Sequence, residues 1–148
     1  MTVILIKFSI KTVYMNVKFI EVKKVQTYGN RSSSSLYFFC NHFIAPIHEK
    51  IFAILGSDRI LYTPIDSEIG KEYAVKLVKK IAWNVKKIKI GKFKSKAKYS
   101  IPKPFAKYLG ISKGDIVVLL GFEDSLYMIP LRFLIERIEK EFREPMLR

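Results

Sequence analysis

The sequence holds few residues capable of sulfur or imidazole chemistry: one cysteine, Cys40, and two histidines among 148 residues. A single cysteine excludes an intramolecular disulfide scaffold and a metal site made of cysteines alone, and it fits a reducing cytoplasm. Long apolar runs are also missing. Runs such as residues 3–6 and 116–120 fall far short of the roughly 20 residues of a membrane-spanning helix. We therefore expect a cytoplasmic protein with no membrane partner.

Acidic residues are scarce. The chain has 13 acidic and 27 basic residues, which give a formal net charge of +14 and a pI near 9.9. A protein this basic usually meets a polyanion such as nucleic acid. The imbalance is greatest in residues 86–113, which hold ten lysines and no acid. A solvated lysine surface is the simpler interpretation, but surfaces that serve solubility normally mix both signs. We therefore expect a surface that binds phosphates.

Lysines alternate with other residues between positions 88 and 98, which is the pattern of a β-strand or hairpin. In that register Lys92, Lys94, Lys96 and Lys98 share one face, unless a turn near residues 95–97 breaks the alternation. A two-stranded ribbon is one of the elements that fit the DNA major groove. The pattern thus predicts a basic hairpin.

The chain contains an internal repeat with an offset of 66 residues. Residues 51–65 align with residues 117–131, and Asp58 aligns with Asp124. The strand at 20–27 matches 88–95 only with an offset of 68, which makes the first hairpin loop two residues longer. Chance similarity between two β-rich stretches is the alternative. A repeated unit that cannot bury its own face gains stability by pairing with its copy.

Hydrophobic periodicity and turn residues give a coarse organisation. We predict an α+β, β-rich fold in which two similar halves are joined by a helix. The predicted segments are a strand-like extension over 1–16, a first half over 17–66, a linker helix over 67–84, a second half over 85–131, and a C-terminal helix over 132–148.

The second half contains a group of spaced landmark residues. Pro102 follows a strand, Gly110 suits the C-cap of a short helix over 103–109, and Gly114–Asp115 is turn chemistry before a buried strand. With their neighbours, these residues make residues 88–131 resemble the AbrB/MazE-like (SpoVT-AbrB) DNA-binding domain, and residues 17–65 resemble a degenerate second copy. The matching positions are Ser95, Lys96, Ile101, Pro102, Lys103, Leu109, Gly110, Gly114, Asp115 and Val117.

The resemblance implies a swapped-hairpin β-barrel, which two chains normally build by interleaving hairpins. A tandem copy would make it a pseudo-dimer within one chain. Ala97 stands where the family has its hairpin glycine, and the first copy lacks both the Ile-Pro pair and the Gly-Asp pair. The expected DNA surface is therefore lopsided and lies on the second copy.

The resemblance also implies a function, namely an AbrB-like transcriptional regulator that binds duplex DNA through basic residues of the first strand and hairpin. In the comparison with the family pattern, Lys92 stands where the family has an arginine, and Lys98 stands where it has a polar residue. Lysine lacks the guanidinium fork that reads guanine, so we expect mostly phosphate contacts and modest sequence specificity. The candidate DNA-binding residues are Lys89, Lys92, Lys94, Lys96, Lys98, Lys103, Lys107 and, in the first copy, Arg31.

Two other functions stay open. A MazE-like antitoxin would bind DNA with this scaffold and grip a toxin with the segment that follows it. An RNA-binding module is the weaker alternative. The C-terminal helix has an apolar face that could serve a toxin partner or a homodimer; its residues include Leu134, Ile138 and Phe142. For the regulator we expect a nucleoid-associated location.

Catalytic and metal-binding patterns are not found. No Walker loop, nucleophile elbow or His-Glu zinc motif occurs, so we expect neither enzymatic activity nor a cofactor. Cys40, His42 and His48 lie close in sequence, but their spacing matches no zinc pattern. We expect Cys40 in the core, both histidines on or near the surface, and no metal site.

Overall fold

The computed structural model describes residues 2–8, 11–27 and 35–146, with side chains described for 17–27 and 35–141. Arg31 and its hairpin loop lie outside these residues. The described strands are β1 (Thr2–Phe8), β2 (Lys11–Val17), β3 (Phe19–Lys24), β4 (Gln26–Thr27), β5 (Leu36–Cys40), β6 (Lys50–Leu55), β7 (Ile60–Pro64), β8 (Val85–Lys89), β9 (Gly91–Phe93), β10 (Lys96–Ile101), β11 (Ile116–Gly121) and β12 (Leu126–Pro130). The described helices are α1 (Glu68–Val78), α2 (Lys103–Leu109) and α3 (Leu131–Met146).

The strands form antiparallel sheets, which confirms the β-rich α+β class. β1 and β2 make a two-stranded sheet, four strands follow the order β4-β5-β10-β9, and six follow the order β3-β11-β12-β7-β6-β8. The predicted β-barrel is wrong, because neither larger sheet closes within the described residues. The chain passes from the edge strands of the six-stranded sheet into the four-stranded sheet at Val25 and at Ile90. The two sheets pack face to face around a shared core.

The two halves of the chain exchange strands. β3, from the first half, pairs with β11 of the second, and β8 of the second half pairs with β6 of the first. Both sheet orders read the same from either end when each strand is replaced by its counterpart in the other half. Neither half therefore completes the six-stranded sheet from its own strands.

Equivalent residues can be identified from the strand register. The bounds of β6 and β7 precede those of β11 and β12 by the predicted 66 residues. Ile51 pairs with Ile88 and Val117 with Lys23, so the first strands are related by an offset of 65, not the predicted 68. By the same register, the first hairpin is longer by four residues, not two. Alternation alone does not fix register, because every second residue fits the same face.

The main core lies between the four-stranded and six-stranded sheets and contains the rings of Phe38, Tyr62 and Tyr99, all fully buried. The other face of the six-stranded sheet is covered by helices. α1 packs over the cluster that contains Phe52 and α3 over the cluster that contains Val118. The helices and the four-stranded sheet therefore lie on opposite sides of the six-stranded sheet.

The linker helix is shorter than predicted. Ser67 caps the start of α1 by accepting a hydrogen bond from the Gly70 backbone N–H. At the other end Lys80 adopts a left-handed conformation with φ 58°, and the Ile81 N–H donates to the Lys76 carbonyl. This capping arrangement normally uses glycine, and it ends α1 at Val78 instead of residue 84. No helix in the described part of the chain is long and apolar enough to cross a membrane.

The landmarks around the short helix α2 are confirmed. β10 ends at Ile101, and Pro102 precedes α2. Gly110 caps the helix in the left-handed region with φ 66°, where glycine has no steric penalty. This segment places α2 directly after the lysine-rich hairpin.

Candidate nucleic-acid interface

The lysine-rich hairpin is formed by β9 and β10. Its turn consists of Lys94 and Ser95, and Lys94 has a left-handed φ of 57°. Lys96 pairs with Phe93 across the hairpin, whereas Lys92 pairs with Ala97. Since directly paired residues share a face, Lys96 and Lys98 lie on the outer face and Lys92 lies on the opposite one. Of the two arrangements that the sequence leaves open, the structure shows the interrupted one, because the two-residue turn at Lys94 and Ser95 resets the alternation.

The ammonium groups of the hairpin are open to solvent. Lys92, Lys94 and Lys96 are exposed, and Lys98 is half-buried. In the described part of the chain no carboxylate forms an ion pair with Lys92, Lys94 or Lys96. These three cations are therefore accessible to phosphates.

Lys98 is held against the sheet. Its Nζ lies 4.6 Å from the centroid of the Tyr37 ring, within cation–π range. Gly91 is its cross-strand partner, and a Cβ at Gly91 would lie 3.4 Å from the Lys98 Cβ. The missing side chain thus leaves room for the lysine stem. Burial lowers the pKa of Lys98 from its ordinary value.

An aromatic row crosses the same outer face and is not apparent from the sequence. The ring centroids of Tyr37 and Phe39 are 5.3 Å apart, and those of Phe39 and Phe93 are 5.5 Å apart. Phe93 is 54% exposed although it is a large apolar residue. Pairing of Phe39 with Lys98, and of Phe93 with Lys96, places each ring beside a cation. Only the strand pairing between the two halves reveals this row.

A basic groove lies beside the hairpin. It has a volume of about 330 Å³ and is lined by Lys86 and Lys87 of β8 and Lys103 of α2, together with Ser35, Ser100 and the two prolines that flank Lys103. Among the described residues, no carboxylate lines it. Lys86 thus joins the candidate surface although it is not among the predicted residues, whereas Lys87 shares the helix-side face of β8 with Val85 and Lys89.

The remaining candidates are dispersed. Lys107 is exposed on α2. Lys89 pairs with Lys50 on β6. It lies on the same face of β8 as Val85, which is the face that the helices cover. Lys89 therefore does not join the outer face of the hairpin. The basic region consists of the hairpin, the adjacent groove and α2.

Protein-family models, curated proteins and solved structures give no match to this chain. The resemblance therefore stays a prediction that rests on its own residues and spacing.

The C-terminal helix packs on its own sheet. Leu134, predicted for a dimer or toxin contact, packs against the cluster of Val118 and Ile129. Ile138 is 47% exposed, and the Phe142 side chain lies outside the described residues. Part of the predicted partner face thus serves the internal fold.

Proposed function

We propose that this chain binds duplex DNA through a basic surface made of Lys92, Lys94, Lys96 and Lys103, with Lys86 at its border. The observation that carries the proposal is the exposure of these cations in a segment without a single acid. β9 lies at one edge of the four-stranded sheet, and its partner β10 also pairs with β5. The edge of this sheet, with the turn at Lys94 and Ser95, is the part that would approach the DNA groove, while ammonium groups bind the flanking phosphates.

The proposed role is that of an AbrB-like transcriptional regulator in the cytoplasm, associated with the nucleoid. The exchange of β3 and β8 between the halves supports the resemblance, since interleaved strands define the swapped-hairpin arrangement. The open sheets and the absent glycine at Ala97 depart from it. Phosphate contacts dominate in this proposal, and discrimination among base sequences is modest.

The test compares two triple variants that remove the same charge. Lys92→Gln/Lys94→Gln/Lys96→Gln changes the hairpin, whereas Lys71→Gln/Lys79→Gln/Lys140→Gln changes exposed lysines on the helix side. Fluorescence anisotropy with a 20–30-base-pair duplex is the measurement. The hairpin variant should lose about 10-fold or more in affinity, and the helix variant should lose much less. Equal losses would mean that net charge alone drives binding.

A second candidate function is binding of unpaired bases, including those of RNA. Exposed Phe93 stacked near Phe39, with Lys96 beside it, favours this function. Aromatic residues on a sheet face stack bases at about 1–3 kcal/mol each, and neighbouring cations track the backbone. Phe93→Leu should weaken binding to single strands about 10-fold while leaving duplex binding unchanged. Trp83→Leu, at an exposed ring outside the basic region, is the matched control.

A further inference from the structure

Three potential metal ligands from two parts of the chain meet at the end of β5. Glu21 comes from β3, Cys40 is the last residue of β5, and His42 follows two residues later. Cys40 Sγ lies 3.1 Å from Glu21 Oε2, and His42 Nδ1 lies 2.9 Å from the same oxygen. One ligand atom from each residue lies within 4.8 Å of the other two. The structure therefore brings a thiol, an imidazole and a carboxylate to one point.

We propose that Glu21, Cys40 and His42 form a binding site for a divalent transition metal of the Zn²⁺ type. Thiolate, imidazole and carboxylate are the three protein ligands that Zn²⁺ uses. In a tetrahedral site with metal–ligand bonds of about 2.0–2.3 Å, the ligand atoms are roughly 3.4–3.6 Å apart. The observed separations of 2.9 and 3.1 Å are those of hydrogen bonds. They need to open by only about half an ångström.

The burial of the three residues fits a site with one open side. Cys40 is fully buried, and the Glu21 side chain is 9% exposed. The His42 side chain is 50% exposed and closes the cluster on the solvent side. A metal can therefore enter past His42, and a water molecule can take the fourth position. This is the three-ligand pattern of zinc sites that keep an open coordination position.

Neighbouring groups already fix the orientation of two ligands. The Asn41 backbone N–H donates to both oxygens of Glu21, at 3.1 and 3.2 Å. The Phe19 ring stacks on the His42 imidazole with centroids 3.8 Å apart and planes within 9°. Such outer contacts orient ligands and usually change metal affinity by about 10–100-fold when they are lost. The site is thus largely organised before a metal arrives.

Charge and proton balance also fit. The Lys23 ammonium lies 3.3 Å from Glu21 Oε1, the oxygen that does not contact Cys40 or His42. Oε2 therefore faces the other two ligands. When the metal binds, the Cys40 thiol releases its proton to solvent and forms the metal–sulfur bond, and His42 carries its proton on Nε2 so that Nδ1 can coordinate. The charges of the divalent metal, the Cys40 thiolate and the Glu21 carboxylate then sum to zero.

The sequence predicts no metal here because, among ligands close together along the chain, Cys40, His42 and His48 match no zinc pattern. The expectation that Cys40 is buried and that His42 and His48 are exposed is confirmed. His48, however, does not belong to the cluster, and Glu21 lies 19 residues before Cys40. The missing ligand becomes visible only through the packing of β3 against β5.

In the experiment, the full chain, kept reduced by a thiol-free reductant, is titrated with Co²⁺, and the bound Co²⁺ is then displaced with Zn²⁺. The absorption spectrum is recorded throughout. Since Cys40 is the only cysteine, a thiolate-to-cobalt charge-transfer band identifies its sulfur as a ligand. We expect the band to saturate at one metal per chain and to vanish in Cys40→Ser. His42→Gln should weaken binding at least 10-fold, and His48→Gln should leave it unchanged.

Three outcomes would overturn the proposal: no charge-transfer band at millimolar Co²⁺, a band whose affinity is unaffected by His42→Gln, or binding that depends equally on His48. His42→Gln changes an exposed side chain, so it keeps the test valid if variants at buried Cys40 fold poorly. Circular dichroism of each variant verifies the fold. The metal titration is independent of DNA, so its result does not depend on the proposed function.

Discussion

Phe38 and Tyr99 lie face to face in the core, with ring centroids 5.4 Å apart and planes within 15°. They are direct partners in the β5–β10 pairing, one from each half of the chain. Both also contact Tyr62, edge-to-face, at 5.5 and 5.4 Å. The aromatic centre of the core is therefore shared between the halves, as is the six-stranded sheet.

The Tyr99 hydroxyl links this centre to the loop after β5. It donates to the His42 carbonyl at 3.0 Å and accepts from the Ile44 backbone N–H at 3.2 Å. Tyr99→Phe keeps the ring but leaves both backbone groups without this partner, so the free energy of unfolding should fall by about 1–3 kcal/mol. Urea denaturation measures the change. Tyr108→Phe, at an exposed ring, should leave the stability unchanged, and an unchanged Tyr99→Phe would show that the loop does not depend on the hydroxyl.

Asp58 joins the β6–β7 turn to α3. Its carboxylate oxygens lie 2.7 Å from Arg59 Nε and 3.1 Å from Arg137 Nη2. Burial raises the pKa of Asp58, but the hydrogen bond from Arg59 and the charges of both arginines outweigh it and hold the pKa below its ordinary value. Asp58→Asn should therefore destabilise the protein at pH 7, by about 1–3 kcal/mol.

The pH dependence of this effect follows from the sign of the pKa shift. A carboxyl group with a lowered folded pKa stabilises the fold above its unfolded value, near 4, and loses that contribution as pH falls through the folded pKa. The difference in unfolding free energy between wild type and Asp58→Asn should therefore shrink in acid below about pH 4. Denaturant unfolding at pH 7 and pH 3 measures it. A difference that stays constant would contradict the ion-pair account.

The strand exchange predicts the behaviour of an isolated half. A fragment of residues 85–148 retains β8, β11 and β12 but lacks β3 and β6, which pair with β11 and β8. Unpaired strand edges and exposed apolar faces are unstable in water. The fragment should be unfolded or should pair with a second copy. Light scattering with circular dichroism distinguishes these states, and a folded monomer would show that the halves are independent.

The sequence predicts local elements of this fold better than their pairing. β6, β7, β11 and β12 are apolar runs bounded by turn residues, and Gly110 marks the end of α2, so each is readable locally. The end of α1 is not, because Lys80 takes a conformation that glycine normally provides. The sequence likewise does not predict that the sheets stay open, because closure depends on how β3 and β8 pair with strands distant along the chain.

In the candidate interface, too, the local property is predictable from the sequence and the spatial arrangement is not. Composition alone predicts that lysines in an acid-free segment are exposed, and the structure agrees for Lys92, Lys94 and Lys96. Their distribution over two faces depends on the turn at Lys94, and no glycine marks that turn. The row that includes Phe93 and Phe39 is built from both halves, so no local pattern contains it.

The salt dependence of duplex binding tests the central claim most directly. If the basic surface contacts about six phosphates, the affinity should fall on the order of 10³-fold between 50 and 200 mM salt. The Lys92→Gln/Lys94→Gln/Lys96→Gln variant should show a log–log slope smaller by about 3, whereas the Lys71→Gln/Lys79→Gln/Lys140→Gln variant should keep the wild-type slope. Absence of duplex binding at about 20–50 mM salt, where phosphate contacts are strongest, or equal slopes for wild type and the hairpin variant, would contradict the account.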